Sequence, residues 1–134
     1  MTDEQGQKTL QYPMCVLLVE DSDLLRQIFK AAFSVENQIE TASGAKEGWL
    51  AYLTKSPDIV FLDIGLPDGN GHDLAHRIKA RTPSTFVVMA TANDYTEDRQ
   101  EAWFNDVDGF ITKPYDKQQI TDLIDRCREN RRKR

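Results

Sequence analysis

The sequence predicts an α/β domain built on a doubly wound, five-stranded parallel sheet with helices on both faces. Three observations carry that expectation. Short apolar runs alternate five times with stretches of helical periodicity, and the links between them are only a few residues long. DIVFLD (58–63) is apolar almost throughout, as strands buried on both faces of a parallel sheet are. Alternation of this kind leaves a parallel sheet with crossover helices as the architecture that buries every apolar face.

Residues 1–12 are polar and read as a flexible lead-in. CVLLVE (15–20) is the first buried strand, and 21–33 is a helix with Leu24, Leu25, Ile28, Phe29 and Ala32 on one apolar face. QIETA (38–42) alternates as a weaker strand, and 45–53 is helical with Trp49, Leu50 and Leu53 apolar at helical spacing. DIVFLD (58–63) is the third strand. It runs into IGLPDGNG, a loop too rich in Gly, Pro, Asp and Asn to continue a regular element. A helix follows at 72–80, with Leu74, Ala75 and Ile78 turned inward. TFVVMA (85–90) is the fourth strand, 96–104 the fourth helix and GFI (109–111) a short fifth strand. Ile120, Leu123, Ile124 and Cys127 recur at i, i+3, i+4 and i+7 and mark an amphipathic closing helix. The expected boundaries are a lead-in over 1–12, one domain over 13–128 and a basic tail over 129–134.

Composition narrows the function. With 134 residues, 40% hydrophobic and 29% charged, the chain has enough apolar residues for one core and too many for a disordered segment. No run approaches the ~18 apolar residues of a membrane span, and the first residues lack the apolar core of a signal peptide. A net charge of −5 argues against nucleic-acid binding by the domain as a whole. The basic run Arg126, Arg128, Arg131, Arg132, Lys133 and Arg134 reads as a solvated helix end, because no aromatic residue is interleaved with it. Cys15 and Cys127 read as reduced core thiols in a cytoplasmic setting.

The strand ends carry the chemistry. In a parallel sheet all carboxyl ends share one edge, beside the point where ligands bind. Here that edge collects Glu20 and Asp21 from the first strand, Asp63 from the third, Thr91 from the fourth and Lys113 after the fifth. Carboxylates gathered there repel one another and call for a cation. All-oxygen ligation favours a hard ion, and Mg²⁺ suits a few carboxylates completed by waters. Metal, ammonium and hydroxyl together match the needs of a transferring phosphoryl group, with Asp63 as nucleophile forming an acyl phosphate.

The strings VLLVEDSD, VFLDIGLPDGNG, VVMATAND and DGFITKP, in this order and spacing, resemble the receiver domain of two-component response regulators over about residues 14–128. The resemblance implies the (βα)5 flavodoxin-like fold and a phosphorylation switch. It makes Asp63 the phosphoacceptor. Mg²⁺ would be bound by Asp21 and Asp63, by Glu20 through a water, and by the main-chain carbonyl of Gly65. It implies that Thr91 bonds a phosphoryl oxygen, that Lys113 bridges to Asp63, and that Phe110 is the switch aromatic. The Lys113-Pro114 bond would be cis. The implied partners are a sensor histidine kinase or a phosphotransfer protein. Output would run to a downstream protein or a second copy, through the face of the fourth helix, fifth strand and fifth helix, flanked by Tyr95 and Tyr115. Neither direct nucleic-acid contact nor membrane insertion is implied.

The chain departs from the family pattern at several positions. Asp106 replaces a usual glycine, Gly48 a usual alanine and Trp49 a usual leucine, while Phe110 lacks a tyrosine hydroxyl and Gly65 and Asn93 sit where phosphate lifetime is tuned. Two rival readings have sequence support. DSD (21–23) is similar to the opening motif of haloacid-dehalogenase-type phosphatases, which would move the nucleophile to Asp21. The alternative context is a receiver fragment of a larger transcription regulator or hybrid kinase. His72 and His76 stand four apart on one helix, a two-histidine spacing with no third ligand in view.

Overall fold

Five parallel strands form the centre of the molecule in a computed structural model that describes residues 12–92 and 107–132. The strands are β1 (Cys15–Val19), β2 (Gln38–Ala42), β3 (Ile59–Asp63), β6 (Phe86–Thr91) and β7 (Gly109–Thr112), in spatial order β2-β1-β3-β6-β7. The order reverses direction after β1, so β1 and β3 lie side by side, with Val19 opposite Leu62. Asp63 pairs with Ala90, and Thr91 with Thr112, so the third, fourth and fifth strands end level with one another.

Strict alternation splits the core into two layers. Val16, Leu18, Ile59, Phe61, Phe86 and Val88 face α1 (Asp23–Phe33) and the closing helix (Lys117–Arg132), where Phe29, Phe33, Ile120 and Ile124 meet them. Leu17, Val19, Val60, Leu62, Val87 and Met89 face α2 (Ala45–Lys55) and α3 (Gly71–Arg81) through Tyr52, Leu74, Ala75 and Ile78. The doubly wound parallel sheet expected from the sequence is the observed architecture.

Four details differ from the sequence reading. The loop after β3 carries a two-residue antiparallel hairpin, β4 (Gly65–Leu66) with β5 (Gly69–Asn70). Helix α1 buries Phe29 and Phe33 but leaves Leu24 and Ile28 65% and 55% exposed, because its apolar stripe is wider than the part of the helix that lies on the sheet. Helix α2 turns Gly48 and Tyr52 inward rather than Leu50 and Leu53, which are exposed. The closing helix continues through Glu129 to Arg132, into the residues read as a tail. There Arg131 pairs with Asp58 at 3.1 Å and Arg128 donates to the Tyr12 carbonyl, so the basic end is partly tied to the domain. The helix expected over 96–104, with Asn93, Tyr95, Trp103, Phe104 and Asp106, lies outside the described residues.

Candidate functional site

The edge where the strands end gathers the acidic residues. One carboxylate oxygen each from Glu20, Asp21 and Asp63 lies within 4.8 Å of the others, at the ends of the neighbouring strands β1 and β3. Glu20 is 2% exposed, Asp63 partly buried and Asp21 open to solvent. Burying a carboxylate is costly unless its oxygens are bonded, and both Glu20 oxygens are. The Ser22 amide donates to Oε2 at 3.0 Å, and the Lys113 ammonium donates to Oε1. The same ammonium donates to Asp63 Oδ2 at 3.0 Å, while Asp63 Oδ1 accepts from the Gly65 amide at 3.2 Å.

Local folding explains this placement. Ser22, not Glu20 or Asp21, caps α1, its hydroxyl accepting from the Leu25 amide at 3.2 Å. That leaves both acids free of a capping duty. Arg26, one turn into α1, donates to the Glu20 carbonyl at 2.7 Å and fixes the backbone under the carboxylates. Lys113 leaves β7 with its amide bonded to the Thr91 carbonyl at 2.6 Å, and the Lys113-Pro114 peptide is cis. Burial would lower the Lys113 pKa, but the hydrogen bonds and charges of Glu20 and Asp63 outweigh it and hold the ammonium above its ordinary value.

Thr91 is buried at the end of β6, one residue beyond the partner of Asp63, and its hydroxyl donates to the Ala92 carbonyl at 3.0 Å. Phe110, on the adjacent β7 opposite Met89, is half-buried against the layer that holds α2 and α3. Gly65 is exposed at the start of the hairpin. Tyr115 packs partly against the α1 layer, and burial raises its hydroxyl pKa. Cys127 is buried and Cys15 half-buried; both are free thiols. Among the described residues, His72 and His76 belong to no cluster of three or more candidate metal ligands.

The donor set suits a hard divalent ion. It is all oxygen and partly solvated, and of its three carboxylates only Glu20 and Asp63 are bonded to the Lys113 ammonium. Both oxygens of Glu20 are already engaged, so a water-mediated contact fits it better than direct ligation.

Two contributors to the site escaped the sequence reading. A Cβ on Gly71 would lie 2.1 Å from the Asp63 carbonyl oxygen, so α3 can start this close to β3 only with glycine. The signal was the last glycine of DGNG, just after the strand. Asp68, at the hairpin tip, accepts from the Ala45 and Lys46 amides at 2.6 and 3.0 Å and thereby caps α2. Those amide bonds lower its pKa.

Residues 16–125 match the family described as response regulator receiver domain. The chain is 32% identical over 109 residues to the probable transcriptional regulatory protein TcrX of Mycobacterium tuberculosis, covering 81% of this chain and 47% of that protein. It is 33% identical to the chemotaxis protein CheY of Halobacterium salinarum, covering 81% of this chain and 92% of that one. The chain therefore spans about half the length of the first relative and nearly all of the second. A receiver domain protein from Clostridium thermocellum shares the fold with a TM-score of 0.81 at 23% identity, over 89% of this chain and 97% of that one.

Proposed function

This chain belongs to the response regulator receiver family, and from that premise we propose that it is a Mg²⁺-dependent phosphorylation switch with Asp63 as phosphoacceptor. The observation that carries the reading is the convergence of Glu20, Asp21 and Asp63 at the carboxyl edge of the sheet, with the Lys113 ammonium bonded to Glu20 and Asp63.

A carboxylate oxygen of Asp63 attacks the phosphorus of a phosphohistidine. A P–O bond forms, the P–N bond breaks, and the bonding pair stays on the imidazole nitrogen, leaving an acyl phosphate. Lys113 orients the carboxylate through its 3.0 Å bond and brings positive charge to the phosphoryl oxygens. Asp21, Asp63 and the Gly65 carbonyl, with Glu20 through a water, would hold Mg²⁺, which would supply positive charge to the transferring group. The Thr91 hydroxyl leaves the Ala92 carbonyl for a phosphoryl oxygen, and Phe110 turns inward behind it.

The donor is a sensor histidine kinase or a phosphotransfer protein in the cytoplasm. The altered face, which includes β7 and the closing helix, is read by a downstream protein or a second copy.

Intact mass after incubation with Mg²⁺ and a small acyl-phosphate donor tests this. The wild type gains one phosphoryl group, whereas Asp63→Asn gains none and neither does wild type in chelator. Phosphate retained by Asp63→Asn and lost from Asp21→Asn would instead favour a phosphatase-type nucleophile.

A further inference from the structure

Helix α2 joins the two halves of the acidic site without contributing a ligand. Its N-cap, Gly44, has no side chain, and the capping acceptor comes from elsewhere in the chain. The Asp68 carboxylate takes both first-turn amides, of Ala45 and Lys46. Asp68 belongs to the hairpin loop that opens with Gly65, two residues after Asp63. The hairpin also touches α2 at a second point, where a Cβ on Gly69 would lie 3.1 Å from the Ala45 Cβ.

At its next turn the same helix rests on the end of β1. A Cβ on Gly48 would stand 2.9 Å from Val19 Cγ2, and Val19 immediately precedes Glu20 and Asp21. Helix α2 thus touches the loop that follows Asp63 at one turn and the strand that delivers Glu20 and Asp21 at the next. Gly44 itself is extended (φ −162°), a conformation open to any residue. Its lack of a side chain is what admits Asp68, since a Cβ there would lie 2.5 Å from Asp68 Oδ1.

We propose that Asp68 is a positioning residue for phosphoryl transfer, clamping the loop after Asp63 to α2 and so fixing the spacing between Asp63 with Gly65 and Glu20 with Asp21. The proposal rests on the reading of Asp63 as phosphoacceptor beside Mg²⁺. Residues that orient metal ligands without touching the metal typically change its affinity by about 10-fold or more.

The clamp can be cut from either side. Asp68→Ala removes the carboxylate and with it the cap of α2. Gly44→Ser expels Asp68 with its Cβ while supplying a capping hydroxyl of its own, so α2 stays capped and only the tether is lost. Asp68→Asn keeps an acceptor oxygen and serves as the conservative control.

The experiment measures Mg²⁺ affinity by calorimetry, the rate of phosphoryl gain by intact mass, and melting temperature, on the full chain. The expected result is about a 10-fold loss of Mg²⁺ affinity and a slower gain in both Asp68→Ala and Gly44→Ser. Gly44→Ser melts no lower than wild type, and Asp68→Asn recovers most of both functions. Wild-type Mg²⁺ affinity and rate in Gly44→Ser would overturn the clamp, since a residue that merely caps a helix predicts that outcome. Wild type that gains no phosphoryl group would instead overturn the phosphoacceptor reading, and the clamp's role with it.

Discussion

At the amino ends of its strands the sheet carries Asp58 and Asp108; at the carboxyl ends it carries Glu20, Asp21 and Asp63. Each acid of the first set has its own complement of partners. Asp58 accepts from the Cys15 amide at 2.8 Å and faces Arg131 at 3.1 Å, while Asp108 accepts from the Val87 amide and from Lys79, both at 2.8 Å. Each therefore ties the start of a strand to a cation on a covering helix. At the other edge three carboxylates lie together, and two of them, Glu20 and Asp63, share one ammonium. An aspartate with matched charge works as a staple, whereas an edge with surplus negative charge is ready to take up a cation.

The largest expected effect breaks the carboxyl edge. Lys113→Ala removes the ammonium that Glu20 and Asp63 share and is expected to slow phosphoryl gain by about 10²-fold, the scale of losing one pre-organised charge, as read by mass against time. Next comes the frame beneath it. Gly71→Ala drives a Cβ into the Asp63 carbonyl, with an expected destabilisation of about 1–3 kcal/mol in urea unfolding and a slower gain as Asp63 shifts.

At the amino edge the pattern inverts. Asp108→Ala strips partners from the Val87 amide and Lys79 and is expected to cost about 1–3 kcal/mol, yet to leave Mg²⁺ affinity unchanged in calorimetry. A change in Mg²⁺ affinity there would erase the distinction between the two edges.

The smallest effect is a pH dependence at the amino edge. Burial pushes the Cys127 thiol up to about 11 from an ordinary 9.0. The folded thiol therefore stays neutral where the unfolded one ionises. Its contribution to stability is whole below pH 9.0 and is lost as pH climbs towards about 11. Unfolding free energies of Cys127→Ala should fall less steeply across that window than those of wild type.

The sequence made one of these edges far more legible than the other. Glu20, Asp21, Asp63 and Lys113 could be brought together in advance because parallel strands must end on a common edge, whatever the details of packing. The contacts of Asp68 could not, since its partners are backbone amides up to 23 residues away and amides have no sequence signature. The inward faces of α1 and α2 were misjudged for a related reason. Periodicity marks the apolar stripe, but where the helix sits decides which part is covered, as exposed Ile28 and Leu50 show. Gly48 and Tyr52 take the inner face of α2 because a glycine lets that helix approach Val19 more closely than a leucine face would.

The claim that surplus charge defines the carboxyl edge is tested most directly by urea unfolding of Asp21→Asn beside wild type, with and without Mg²⁺. Without the ion, removing one of three crowded carboxylates should stabilise the fold by about 1 kcal/mol. With saturating Mg²⁺ the order should reverse, because only wild type gains stability from an ion that binds the folded state. An Asp21→Asn variant that is less stable without Mg²⁺, or equally stabilised by it, would contradict the claim.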